Sequence, residues 1–134
     1  MKPRFGYCAV TCDFLHAGHV KYLKDCADKC RHLIVGIMTD DCVEDYKGCR
    51  PIMNQKQRCE MVKSIRFVHK TYFQDTFQFS HSVMRMKGIY GKDFIIFDTK
   101  EHHRSGHDVI IPVKKIFNSS DFKRIAKKNM DYLK

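Results

Sequence analysis

The chain alternates short apolar runs with segments whose apolar residues recur at helical spacing. Phe5 to Thr11 is an apolar run of β-compatible residues, and Leu33 to Met38 (LIVGIM) is continuously apolar. Such runs mark strands buried on both faces, because a sheet covered by helices presents no polar side. Phe67 to Phe73, Phe94 to Phe97 and Val109 to Ile111 read as three further strands. Between them, Ala17 to Cys30 sets Val20, Leu23 and Ala27 at helical spacing. Asn54 to Ile65 carries Met61, Val62 and Ile65 on one side, with Asn54 as N-cap. Phe77 to Lys87 is another helix. The cap formers Asn118, Ser119, Ser120 and Asp121 start a last one, which runs to Asn129.

Five buried strands with helices between them predict a three-layer α/β domain around a five-stranded parallel sheet. The 134 residues suit one domain, spanning 1–134. Open sheets of this kind bind ligands beyond the carboxyl ends of the strands, where strand order reverses. That rule selects residues that directly follow strands. Thr11, Asp13 and His16 follow the first, Thr39 and Asp40 the second, Asp98 the fourth and Lys114 the fifth.

Composition narrows the classes. A hydrophobic fraction of 43% and an aromatic fraction of 12% favour a packed core over disorder. No apolar run approaches the roughly 18 residues a membrane span needs, so no membrane insertion is expected. The N-terminus MKPRFGYCAV lacks the apolar stretch of a signal peptide, and the expected compartment is the cytoplasm. The seven cysteines are an odd number without an export signal, so reduced, partly buried thiols are expected. Cys26 and Cys30 stand one helical turn apart with His32 after them, but no second pair gives zinc spacing.

The formal charge of +10 attracts polyanions. Nothing resembles a recognition helix, an aromatic RNA-binding strand or an arginine-rich arm, so nucleic acid is not the expected partner. Positive charge equally suits a pocket for a triphosphate and a second phosphate. Lys114, Lys115, Lys123, Arg124, Lys127 and Lys128 crowd the last stretch and fit either that pocket or plain solvated surface.

The chemistry concentrates where the first strand ends, in Thr11-Cys12-Asp13-Phe14-Leu15-His16-Ala17-Gly18-His19. His16 is expected at the mouth of the strand and His19 in the first turn of the next helix. Gly18 between them allows close approach of a ligand to the backbone. The helix start offers N–H groups and the positive end of its dipole to a phosphate. Two imidazoles there can donate to charge that grows on phosphorus during in-line attack.

DFLHAGH, with Thr11 before it, resembles the GxFDxxHxGH signature of the cytidylyltransferases, which make CDP-glycerol, CDP-choline and related activated alcohols. The likeness continues through VGIMTDD (Val35 to Asp41), Lys47-Gly48, RCEMVKSIRFVHK (Arg58 to Lys70) and NSSDFKRI (Asn118 to Ile125). The glycerol-3-phosphate enzymes are the nearest comparison. The resemblance implies a Rossmann-like nucleotidyltransferase domain acting on CTP and a phosphorylated small molecule, with pyrophosphate released. It implies that His16 and His19 contact the triphosphate and stabilise the transition state, and that Thr11, Cys12, Asp13 and Gly18 form the nucleotide-phosphate turn. Lys47, in a loop, is expected to reach the reacting phosphates. Arg58 and Arg66 are implied to share a two-arginine helix, Arg66 lying near the active site and a subunit contact. Ser119 and Ser120 hold a phosphate at the last helix. Asp98 joins the nucleotide site, and Asp40, Arg58 and Lys114 the substrate phosphates. Members are homodimers and use Mg2+, which the triphosphate itself mainly holds, so no protein metal ligands are expected.

The chain departs from the pattern in three places. Val10 stands at the signature's leading glycine and Cys12 at its aromatic position. The late RTxGIST segment reads Val113-Lys114-Lys115-Ile116-Phe117-Asn118, and a lysine cannot reproduce a bidentate guanidinium grip. DTKEHHRSGH (Asp98 to His107) differs from the usual nucleotide-edge sequence. Its histidines His102, His103 and His107 are expected as exposed loop residues rather than a metal cluster. Three alternatives stay open: an ATP-using adenylyltransferase of the same superfamily, a nucleotide-binding relative without catalysis, and, on charge alone, a nucleic-acid-binding module.

Overall fold

The computed structural model describes residues 1–102, 104–113 and 119–130, with backbone alone for 119–122. Ten elements follow one another: β1 (Phe5–Val10), α1 (Ala17–Ala27), β2 (His32–Met38), α2 (Asp40–Lys47), α3 (Gln55–Lys63), β3 (Val68–Gln74), α4 (Phe79–Tyr90), β4 (Phe94–Asp98), β5 (Val109–Ile110) and α5 (Ser119–Met130). The strands form one sheet in the order β3-β2-β1-β4-β5, and every pairing is parallel. The expected α/β class, with a five-stranded parallel sheet, is the fold observed.

Side-chain alternation along the strands divides the core in two. Cys8, Val10, Leu33, Val35, Ile37 and Phe97 face α1 and α3 and pack on Leu23, Cys26 and Val62. Phe5, Tyr7, Ile34, Met38 and Ile96 face the other way, onto Val43 of α2 and Phe79 and Met86 of α4. The buried thiols of Cys26 and Cys30 belong to the first half, as small apolar side chains.

Two expectations about elements are corrected. Lys47 closes a helix rather than sitting in a loop. Thr39 accepts a hydrogen bond from the Cys42 N–H at 3.2 Å and starts α2, and Gly48 ends it in the left-handed region at φ 82°. Arg66 does not share a helix with Arg58. Helix α3 stops at Lys63, where Ser64 caps it, so Arg66 lies in the turn leading into β3.

Among the described residues, no helix is long and apolar enough to cross a membrane.

Candidate active site

Strand order reverses between β1 and β4, so their carboxyl ends frame the crevice this sheet offers a ligand. Thr11, Cys12 and Asp13 leave one lip, and Asp98 ends the other. A cleft at this edge is lined by Thr11, Cys12, Asp13, His19, Lys47 and Lys123, among others.

The two signature histidines form one unit. Their rings stack with centroids 3.9 Å apart and planes inclined by 27°. His16 is the N-cap of α1, and its Nδ1 accepts from the Gly18 N–H at 3.0 Å. His19 Nδ1 accepts from the His16 N–H at 3.2 Å, which completes a reciprocal capping box. An Nδ1 that accepts carries no proton, so in each neutral ring the proton sits on Nε2. Burial lowers the pKa of both rings, and for His19 the charges of His16 and Lys47 help bring it to about 4. Both are therefore neutral Nε2–H donors at pH 7. This revises the expected source of phosphate binding: the Gly18 N–H serves the His16 ring, and the imidazoles present the donors instead.

Asp13 does a different job from a phosphate ligand. Its carboxylate accepts from the Ile52 and Met53 N–H groups at 2.9 and 3.0 Å and from Lys123. Burial opposes its charge, but Lys123 and the two backbone donors outweigh that and hold its pKa below the usual value. Asp13 thus ties the β1 exit to the loop before α3 and to α5. Cys12 turns through the left-handed region at φ 52°, and Phe14 follows at φ 56°. The Cys12 thiol packs in the core, and burial pushes its pKa up to about 12. What Cys12 lends the cleft is backbone.

Arg58 is buried, not part of a surface pair. Its guanidinium donates to the Met53 carbonyl at 3.0 Å, the Thr11 carbonyl at 2.9 Å and Asp40 at 2.8 Å. Asp40 is consequently engaged beneath the cleft. Lys47 lies at the cleft, its pKa lowered by desolvation and by the charge of Lys123. Thr11 Oγ1 bonds the Tyr46 hydroxyl at 3.0 Å. The exposed Arg66 sits at the amino end of β3, at the opposite end of the sheet from this cleft. Lys114 and the side chains of Ser119 and Ser120 lie outside the described residues, though Ser119 begins α5 as expected.

Three contributors were not singled out from sequence. Lys123 was one of a crowd of late basic residues. Tyr46 carried no motif. Arg104 stood in a polar stretch, yet it is 2% exposed and pairs with the buried Asp98 at 2.8 Å. His102 and His107, expected to be exposed, have side chains 33% and 31% exposed and bond to Thr99 and the Arg104 carbonyl. His103 lies outside the described residues.

An HxGH turn at the reversal point of a parallel sheet defines the class, a Rossmann-like nucleotidyltransferase fold. Residues 8–129 match the cytidylyltransferase-like family, and the chain belongs to it. The bifunctional protein HldE of Nitrobacter winogradskyi is 28% identical over 131 residues, covering 92% of this chain and 27% of that protein. HldE of Hyphomonas neptunium is 26% identical over 118 residues, 82% of this chain and 24% of its own length. The chain thus spans about a quarter of these relatives. FAD synthase of Thermococcus sibiricus is 38% identical over 56 residues, 42% of this chain and 38% of the synthase. The crystal structure of a lipopolysaccharide core biosynthesis protein from Thermoplasma volcanium superposes with a TM-score of 0.66 at 16% identity, covering 85% of this chain and 98% of that one. That likeness concerns the fold.

Proposed function

We propose that this protein transfers CMP from CTP to a phosphorylated (or phosphonate) small alcohol and releases pyrophosphate. The observation that carries the reading is the stacked His16–His19 pair, neutral and with both Nε2–H groups as donors, beside Lys47 at the reversal point of the sheet.

The acceptor's phosphate oxygen attacks the α-phosphorus in line, and pyrophosphate leaves. That nucleophile is already ionised at neutral pH, so the step needs no general base and no covalent enzyme intermediate. Catalysis then consists of positioning and charge stabilisation. The imidazole donors strengthen as negative charge grows on the α-phosphate. Lys47 offsets triphosphate charge, and its lowered pKa rises again once the anion is bound. Arg58 and Asp13 hold the exit of β1 in register for the donors.

Among the described residues no group of three His, Cys, Asp or Glu side chains could hold a metal ion. Asp13, the carboxylate of the cleft, is engaged by Lys123 and two backbone donors. Mg2+ brought in on the triphosphate would neutralise charge on the departing pyrophosphate. The same reading places the protein in the cytoplasm as a homodimer, which sedimentation would test.

One observation favours a second reading. The FAD synthase match, at 38% identity over 56 residues, supports ATP as the nucleotide. Pyrophosphate release separates the two. Purified protein, Mg2+, each of CTP, ATP, GTP and UTP, and a panel of phosphorylated alcohols are combined. Release with CTP and one acceptor, abolished in His16→Asn, supports cytidylyl transfer. Release only with ATP moves the protein to the adenylyl branch. Nucleotide binding without release under all conditions sinks both.

A further inference from the structure

We infer that Lys123 of α5 is a second phosphate-binding ammonium of the cleft, and that it bridges Asp13 and the outer phosphates of the bound triphosphate. The inference rests on the nucleotidyl-transfer reading and makes the last helix part of the nucleotide site.

Position comes first. Lys123 stands one turn after Ser119, where α5 begins, and it lines the cleft together with His19 and Lys47. Among the described side chains of α5, the basic residues Arg124, Lys127 and Lys128 are exposed. Lys123 alone of them is half-buried, its side chain 34% exposed. Its ammonium donates to Asp13 and lies 5.9 Å from the centroid of the Phe14 ring. Asp13 and Phe14 both belong to the exit of β1, so this one side chain reaches from α5 to the mouth of the site.

Charge comes second. Lys47, Arg50 and Lys123 bring cations to the cleft. Arg50 is committed elsewhere, to Asp41 at 2.7 Å and Glu44 at 2.8 Å. Among the described residues Lys47 has no ion-pair partner, and Lys123 has Asp13 alone. Two ammoniums therefore face one carboxylate. They feel each other, since the charge of Lys123 helps to lower the Lys47 pKa. Like charges gathered at one cleft repel until an anion joins them.

The donors of the ammonium decide how the anion is held. An ammonium carries three N–H donors, and a carboxylate oxygen takes one of them. Asp13 is buried and fixed by the Ile52 and Met53 N–H groups, so it cannot follow a ligand outward. It anchors the ammonium, and the remaining donors serve the cleft that the side chain lines. Lys123 can thus bind a phosphate without giving up its ion pair. The neutral imidazoles of His16 and His19 suit the α-phosphorus, where charge grows during the reaction. A fixed ammonium acts as a point charge and is worth most where charge is large throughout, on the two outer phosphates.

The test compares the active nucleoside triphosphate, its monophosphate and inorganic tripolyphosphate by calorimetry on the full chain, in wild type and in Lys123→Met. The variant should bind the triphosphate and tripolyphosphate about ten- to hundredfold more weakly, the worth of hydrogen bonds to charged groups, and the monophosphate within about twofold of wild type. A side chain that merely tied α5 to Asp13 would weaken mono- and triphosphate alike, and that result overturns the inference. So does unchanged affinity for tripolyphosphate. Should Lys123→Met fail to fold, the wild type decides by lysine acetylation read out by peptide mass spectrometry. Tripolyphosphate should protect Lys123 where the monophosphate does not, with Lys127 and Lys128 labelled as before. Equal labelling of Lys123 with and without tripolyphosphate overturns the inference. If no nucleotide and acceptor pair releases pyrophosphate, the transferase reading falls by itself, and the tripolyphosphate measurements still decide the role of Lys123.

Discussion

Arg58 and Asp40 form an ion pair at 2.8 Å beneath the cleft, and the Arg58 side chain is wholly buried. The same guanidinium holds the carbonyls of Thr11 and Met53. One side chain thereby fixes the exits of β1 and β2 against the start of α3. Removing one partner of a buried pair leaves the other charge uncompensated. Arg58→Met should lose about 3–5 kcal/mol of stability in urea unfolding. Arg58→Lys should also be destabilised, since an ammonium cannot span three acceptors as a planar fork does. A lysine variant as stable as wild type would show that the charge alone matters.

The histidine pair carries two roles that a well-chosen variant separates. His16 caps α1 through Nδ1, and it is proposed to donate through Nε2. His16→Asn keeps an effective cap and removes the imidazole. It should melt within a few degrees of wild type yet lose about 10²–10³ in kcat, the usual worth of one transition-state donor. His16→Ala should lose the same activity and about 1 kcal/mol of stability as well. Full activity in His16→Asn would exclude the imidazole from the transition state.

Protonation of these rings gives a prediction with a definite sign. His19 titrates near 4 in the folded chain against 6.5 when unperturbed, and His16 is also lowered. Between those values the unfolded chain binds more protons than the folded one. The stability that the two rings contribute is therefore fully present above about pH 6.5, falls as pH drops through that range, and levels off below about pH 4. A bound triphosphate opposes desolvation and raises both pKa values. Nucleotide binding at pH 5.5 should take up protons, seen by calorimetry in buffers of differing ionisation enthalpy. Proton release would contradict neutral rings in the ligand-free site.

Much of this fold is legible in the sequence because the strands are covered on both sides. All six residues of β1 are buried, and so are the last six of β2, which is why each reads as an unbroken apolar run. Helix α2 was hidden because it buries only Cys42 and Val43 and is otherwise charged, so it shows no apolar stripe. At the site, the strand-exit rule and HxGH spacing found His16, His19 and Asp13. Arg58, Lys123 and Arg104 depend on partners distant in the chain or on aromatic rings from another element. Arg58 reaches back to Thr11 and Lys123 to Asp13, and no local spacing encodes those meetings.

Two glycines of the chain should respond in opposite ways to alanine. Gly36 lies in β2 opposite Ala9, and a Cβ there would stand 1.9 Å from the Tyr7 hydroxyl oxygen and 2.7 Å from its Cζ. Tyr7 is 0% exposed, and its hydroxyl donates to Gln74, so the ring has no room to retreat. Gly88 is on the exposed face of α4, and a Cβ there meets nothing within 4 Å. Gly36→Ala should cost about 1–3 kcal/mol through overpacking. Gly88→Ala should gain roughly 0.5–1 kcal/mol, since alanine loses less chain entropy in a helix. Urea unfolding of both variants checks this. If Gly36→Ala is neutral, the sheet can shift to admit a methyl, and Tyr7 is less tightly held than its burial and its bond to Gln74 imply.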